Sequence, residues 1–183
     1  MKQELQQQQL ESSQQWVEKI VVGLNLCPFA KPVIKANGLR YALTQSVVRD
    51  ELIAFFLAEL ELISNANELT IATSLVIYPN ALGDFYDYLD FVAQCEELLA
   101  QAGLNAEFQI ASFHPDYQFA GVSEDDVSHW TNRSPFPMLH LIREAQMSRV
   151  LANHPNPDSI PERNIELLRE MGKKAILQLT AKT

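Results

Sequence analysis

The sequence predicts an α/β protein: a small, three- to four-stranded, largely parallel sheet with packed helices, with an α+β arrangement as the alternative. Three observations predict it. Short β-branched or alternating apolar runs at 39–44, 69–78 and 106–113 read as strands. Longer runs at 50–64 and 84–102, with apolar residues three and four apart, separate them as helices. The resulting order, strand–helix–strand–helix–strand, is what right-handed crossovers between parallel strands produce.

The elements follow in chain order. Residues 1–12 are polar, with a glutamine run at Gln6–Gln9, and read as a flexible lead-in to a single domain over 13–183. Ser12 or Ser13 is placed to cap a first helix, on which Trp16, Val17, Ile20, Val21 and Leu24 recur at helical spacing. Gly23-Leu24-Asn25 ends it, Cys27-Pro28-Phe29 turns the chain, and Pro28 and Pro32 forbid a continuing helix nearby. Leu39–Thr44 alternates as a strand, and Asp50–Ser64 carries Leu52, Ile53, Phe56, Leu57, Leu60 and Ile63 on a broad face. Leu69–Tyr78 suits a buried strand that Pro79-Asn80 breaks. Asp84–Ala102 is a third helix with Phe85, Tyr88, Leu89, Val92, Cys95 and Leu99 as its stripe and Gly103 as its cap.

After the strand at Ala106–Phe113 the periodicity stops. The segment from Phe113 to Pro137 is dense in turn formers yet rich in aromatics, which fits a folded loop rather than a disordered one. Ser134-Pro135 has the form of a helix start leading into Met138, Leu141, Ile142 and Ala145. A fourth strand over Met138–Ile142 is the competing reading. Asn153–Pro157 is a linker, and Ser159-Ile160-Pro161-Glu162 resembles a capping box before a last helix with Ile165, Leu168, Gly172, Ala175 and Leu179 on its stripe.

Composition excludes several functions. The formal net charge is −9, from 14 basic and 23 acidic side chains. That balance opposes nucleic-acid backbones, which are bound by clustered Lys and Arg, and anionic membrane surfaces. Two cysteines, Cys27 and Cys95, are too few for a disulfide framework or a structural zinc site, so a reducing, cytoplasmic setting is expected. The polar N-terminus has no secretory pattern, and no apolar run is long enough to span a membrane. Neither a phosphate-cradling glycine loop nor a Gly-x-Ser-x-Gly elbow is present.

Four blocks carry a family resemblance: GLNLCPFA at 23–30, ASFHPDYQFAG at 111–121, TNRSPFPMLHLIREA at 131–145 and ERNIELLREMG at 162–172. From about Gln14 to Gly172 the chain resembles an uncharacterised bacterial family, domain-of-unknown-function family 1415. The resemblance implies a single-domain bacterial protein and brings no activity with it, so the candidate residues must be argued from their chemistry.

The richest group is His114, Asp116, Asn132, Arg133 and Ser134. His114 leaves a strand end, where α/β sheets place ligand sites. It would act as general base or metal ligand, with Asp116 orienting it. Asn132-Arg133-Ser134, before a helix N-terminus, would anchor an anion. Tyr117 and Trp130 would wall the pocket, while Phe119 and Phe136 pin the loop to the core. Residue by residue, caps and loop ties are the competing role.

Cys27 is a candidate nucleophile. Cys-Pro-Phe-Ala resembles the active-site start of glutaredoxin-like and omega-class glutathione transferase folds, but here the cysteine follows a helix instead of a strand and no second cysteine lies two positions on. A small thiol in a tight turn is the alternative, and Cys95 belongs to the core. His140 and Glu144, four apart, would share a helix face and could complete a metal site with His114 or Asp116. His129 and His154 fall in exposed-looking stretches, and Arg163 and Asn164 would be surface groups or reach back to the loop. Together these features favour a small enzyme or ligand-binding protein acting on a small anionic metabolite. The alternative is a non-catalytic interaction module that uses the 113–137 loop. Cofactor and oligomeric state stay open.

Overall fold

A computed structural model describes residues 2–181, without the Lys2 side chain; Met1 and residues 182–183, the extreme ends of the expected lead-in and domain, lie outside them. Six α-helices and one four-stranded sheet form among the described residues: α1 Lys2–Trp16, α2 Ala30–Lys35, β1 Leu39–Leu43, α3 Arg49–Asn65, β2 Thr73–Ile77, α4 Phe85–Gln101, β3 Phe108–Phe113, β4 Met138–Arg143, α5 Glu144–Ala152 and α6 Ile160–Thr180.

The sheet order is β1-β2-β4-β3. β1 and β2 pair in parallel, and β4 lies antiparallel to both β2 and β3. Three strands therefore share one direction, as the helical crossovers require, and β4 returns between two of them. The sheet is mixed, and the α/β reading and its α+β alternative meet in it.

The reversal follows from residues 138–143. Their backbone is bonded on both sides, to β2 and to β3. The helix expected from Ser134-Pro135 onward does not form, and the competing strand does. Ser134 bonds its own hydroxyl to the Phe136 carbonyl, at 2.6 Å, instead of capping a helix.

One face of the sheet packs on α3 and α4. Leu52, Phe56, Leu60 and Ile63 of α3 meet Tyr88, Phe91, Val92, Cys95 and Leu99 of α4. Asp84 caps α4 by accepting from the backbone of Tyr86 and Asp87, and Gly103 takes the left-handed conformation just after it. The α4 stripe is turned slightly from its expected place, since Phe91 is buried while Leu89 is exposed. Glu59 is buried on this face with two partners, the Arg40 guanidinium at 2.7 Å and the Ser74 hydroxyl.

The other face packs on the N-terminal helix. The glutamine run does not fray: it is helical, and Gln9 is buried and hydrogen-bonds to Gln45 and Asn80. After Trp16 the helix widens into a π-helix over Val17–Val22. Asn25, in the left-handed region, and the turn at Cys27 then redirect the chain. Pro32 is tolerated inside α2 because it stands in the first turn, where its missing N–H has no intrahelical partner to lose. The α6 helix breaks its φ/ψ pattern at Gly172 (φ 73°); Leu168 is buried as the expected stripe requires, whereas Asn164 is buried before the break, and beyond it Ile176 is buried rather than Ala175.

Candidate functional site

The ends of the 113–137 segment meet. The His114 N–H donates to the Asn132 carbonyl at 3.2 Å, and the Ser134 N–H donates to the His114 carbonyl at 3.4 Å. This extends the β3–β4 ladder past its last residues. The side chains at that junction are already committed, however. His114 is fully buried; its Nδ1 accepts from the Asp116 N–H and its Nε2 donates to the Leu82 carbonyl at 2.9 Å. The ring lies 4.9 Å from Tyr88 and 5.2 Å from Phe85 between centroids. Burial pushes its pKa down, which keeps the imidazole neutral for those two bonds.

Asp116 is exposed and meets the His114 ring through its backbone, so its carboxylate does not orient the imidazole. His129 repeats the His114 arrangement. It is fully buried, contrary to its exposed-looking sequence, and accepts from the Phe119 N–H while donating to the Ser123 carbonyl at 2.8 Å. Two buried imidazoles thus staple the loop. Asn132 donates to the Ser112 carbonyl and accepts from the Thr131 hydroxyl. Arg133 stacks over Trp130 at 4.9 Å, donates to the Tyr117 carbonyl, and accepts the Trp16 indole N–H on its own carbonyl. Tyr117 packs edge-on against Phe85 and Phe119.

The His140–Glu144 spacing does not act as a helix pair, because His140 is on β4 and Glu144 is the first residue of α5. His114 packs on the α4 side of the sheet, away from the cavity that His140 faces. Among the described residues no group of three His, Cys, Asp or Glu side chains stands close enough to hold a metal ion.

What converges lies on the opposite sheet face. A cavity of about 220 Å³ sits between the strands and the roof formed by the π-helix, α2 and α5. Strand alternation puts His140 on its floor, with Leu75 of β2 and Ala111 of β3 directly beside it in register. Cys27 is in its wall. Thus two of the sequence candidates, Cys27 and His140, share a cavity that His114 and Arg133 do not line.

The state of His140 follows from its partners. The Thr73 hydroxyl donates to the Leu141 carbonyl at 2.5 Å, so it accepts from His140 Nε2 at 2.7 Å. The proton is on Nε2, and Nδ1 keeps a free lone pair, with no hydrogen bond to it among the described residues. Protein encloses the ring, and the surface it retains belongs to the cavity lining. Burial pushes its pKa down to about 4. The neutral form is therefore favoured in the fold. Its contribution to stability is complete above about pH 6.5 and is lost as the pH falls toward 4. Denaturant titrations across that window are expected to show a slope that flattens in His140→Gln; an unchanged slope would assign it to other groups.

Cys27 is also held as a thiol. Burial pushes its pKa up, against the opposing pull of the Phe29 and Ala30 N–H groups. Its turn is fixed from α6: Asn164 donates to the Leu26 carbonyl at 2.7 Å, and Arg163 donates to the Asn25 carbonyl. The His154 ring meets Phe29 edge-on at 5.6 Å. Arg163 and Asn164 do reach back, though to this turn rather than to the 113–137 loop.

A second cavity, of about 580 Å³, adjoins the first and is bounded by the 119–132 loop and the start of α6. Each of the four sequence blocks quoted above lines at least one of the two cavities. Val17 and Val21 are read from sequence as a helix's apolar stripe and not as cavity lining, and the lining residues Thr73, Ala111 and Met147 carry no functional reading there. Period-two alternation is the signal for Ala111 and Thr73; the helical spacing of Val17, Ile20 and Val21 signals a helix but not its π widening.

Fold and cavity define the class: a mixed α/β protein with an apolar pocket on one sheet face and a neutral imidazole at its floor. The chain belongs to the family described as "Protein of unknown function (DUF1415)", whose model matches residues 8–178. No curated protein and no solved structure matches it.

Proposed function

We propose that this protein binds a small, uncharged, mainly apolar molecule in the sheet-face cavity, with a ligand hydroxyl or N–H donating to His140 Nδ1. The observation that carries this reading is a cavity whose lining has no charged side chain and one imidazole with an unused acceptor. Such a surface, whose other polar lining groups are the bonded Thr73 hydroxyl and the uncharged Gln146 amide, favours apolar atoms with few polar anchors, and it penalises an ion, which would leave water without a counter-charge. An anionic metabolite held at 114–134 has less support, because the His114, Asn132 and Arg133 side chains are bonded to the backbone of Leu82, Ser112 and Tyr117. Composition supports a cytoplasmic location, and the family resemblance supports a bacterial source.

The rare π-helix adds weight. Such widenings of a helix recur at functional sites, and here Val17 and Val21 bring it to the cavity. Calorimetric titration with 1-hexanol tests the proposal. Ala111→Phe projects a ring into the space beside His140. It is expected to weaken hexanol binding roughly tenfold or more by filling that space. Equal affinity in the variant and the unaltered chain would reject the cavity as the site.

A further inference from the structure

We infer that the two adjoining cavities are one site, and that its ligand is an elongated, uncharged molecule that passes the Cys27 turn with its polar end at His140. The inference rests on the binding reading above and extends it to a ligand class.

Three residues, Val21, Cys27 and Phe113, line both cavities, so these side chains are the partition between them. The smallest of the three is a thiol, held in place from α6. Neither lining contains a charged side chain. The second cavity has polar residues, but they are already spent. Thr131 bonds Ser128 and Asn132, Asn132 bonds Ser112, and Asn164 bonds Leu26 and Arg163. What remains for a ligand there is Ile160, Ile165, Val122 and Phe119, a surface for hydrocarbon.

Size decides between one cavity and two. A cavity of about 150 Å³ takes benzene, so the 220 Å³ of the first holds roughly nine heavy atoms by the same scale. A longer chain anchored at His140 must pass Val21, Cys27 and Phe113 into the second.

Linear primary alcohols from hexanol to dodecanol, titrated into the full chain by calorimetry, test this. Each added methylene that reaches apolar surface raises affinity roughly fourfold. The expected result is a climb that continues to dodecanol. Ile165→Trp, which occupies the second cavity only, should stop the climb near octanol and leave hexanol unchanged; Cys27→Phe, on the partition, should also stop the climb. A plateau near octanol in the unaltered chain overturns the inference while the sheet-face reading stands. A climb that both variants leave intact also overturns it. Failure of every alcohol to bind, hexanol included, overturns the sheet-face reading and the inference with it.

Discussion

Replacing Arg143 with methionine is expected to lower stability by about 3 kcal/mol. The guanidinium ends β4 and reaches the C-terminus of α3. Its Nη2 donates to the carbonyls of Ile63 at 2.5 Å, Ala66 at 2.9 Å and Ile71 at 3.3 Å, while Nε also donates to Ile71. The charge sits at the negative end of the α3 dipole and over the Phe108 ring at 5.3 Å. Methionine keeps the apolar stem and removes every donor, leaving three carbonyls without this partner. In thermal unfolding a loss of that size lowers Tm by roughly 6–12 °C for a chain of this length. Arg143→Lys should recover part of the loss, since it keeps the charge but not the fork. Equal melting of Met and native chains would show that the α3 terminus needs no such cap.

Gly23→Ala is expected to cost about 3 kcal/mol and to weaken ligand binding as well. Gly23 follows the π-helix, and a Cβ there would stand 2.2 Å from the Lys19 carbonyl oxygen and 3.3 Å from that of Glu18. These are backbone atoms, so the strain must be relieved by moving the π-helix itself. Val17 and Val21 move with it, and both line the sheet-face cavity. Gly103→Ala is the control: its φ of 71° makes alanine strained, yet nothing stands within 4 Å, and no cavity residue is disturbed. Chemical denaturation and hexanol titration on both variants separate the two effects. Intact hexanol affinity in a destabilised Gly23→Ala would detach the π-helix from the site.

Much of the fold was legible because local chemistry and tertiary demand agreed. Asp84 with its carboxylate and Gly103 with its freedom from a Cβ bracket α4, and the β-branched run at 73–77 is a buried strand. The misreadings arose where the two disagreed. Ser134-Pro135 has the chemistry of a helix start, but residues 138–143 find hydrogen-bond partners on two flanking strands, and those ladders outweigh a cap. The glutamine run is polar, yet helix propensity and the bonds of Gln9 to Asn80 and Gln45 order it.

The site was half legible. Cys27 and His140 were visible as chemistry-bearing residues, but their meeting depended on β4 being a strand, which turns His140 toward Leu75 and Ala111. His114 was conspicuous for the same chemistry and has another role, because a histidine with both nitrogens on backbone groups looks no different in sequence from a catalytic one. The two ends of the 113–137 loop do meet, but they meet through their backbones.

The most direct measurement is the side-chain ¹⁵N spectrum of the four histidines during titration with 1-hexanol and, separately, with inorganic phosphate. The account predicts that hexanol shifts Nδ1 of His140 as it accepts the alcohol's proton donor, leaves its Nε2–H on Thr73, and spares His114 and His129; phosphate shifts none of these three. A saturable phosphate response at His114, with His140 silent to hexanol, would contradict it and return the site to the loop.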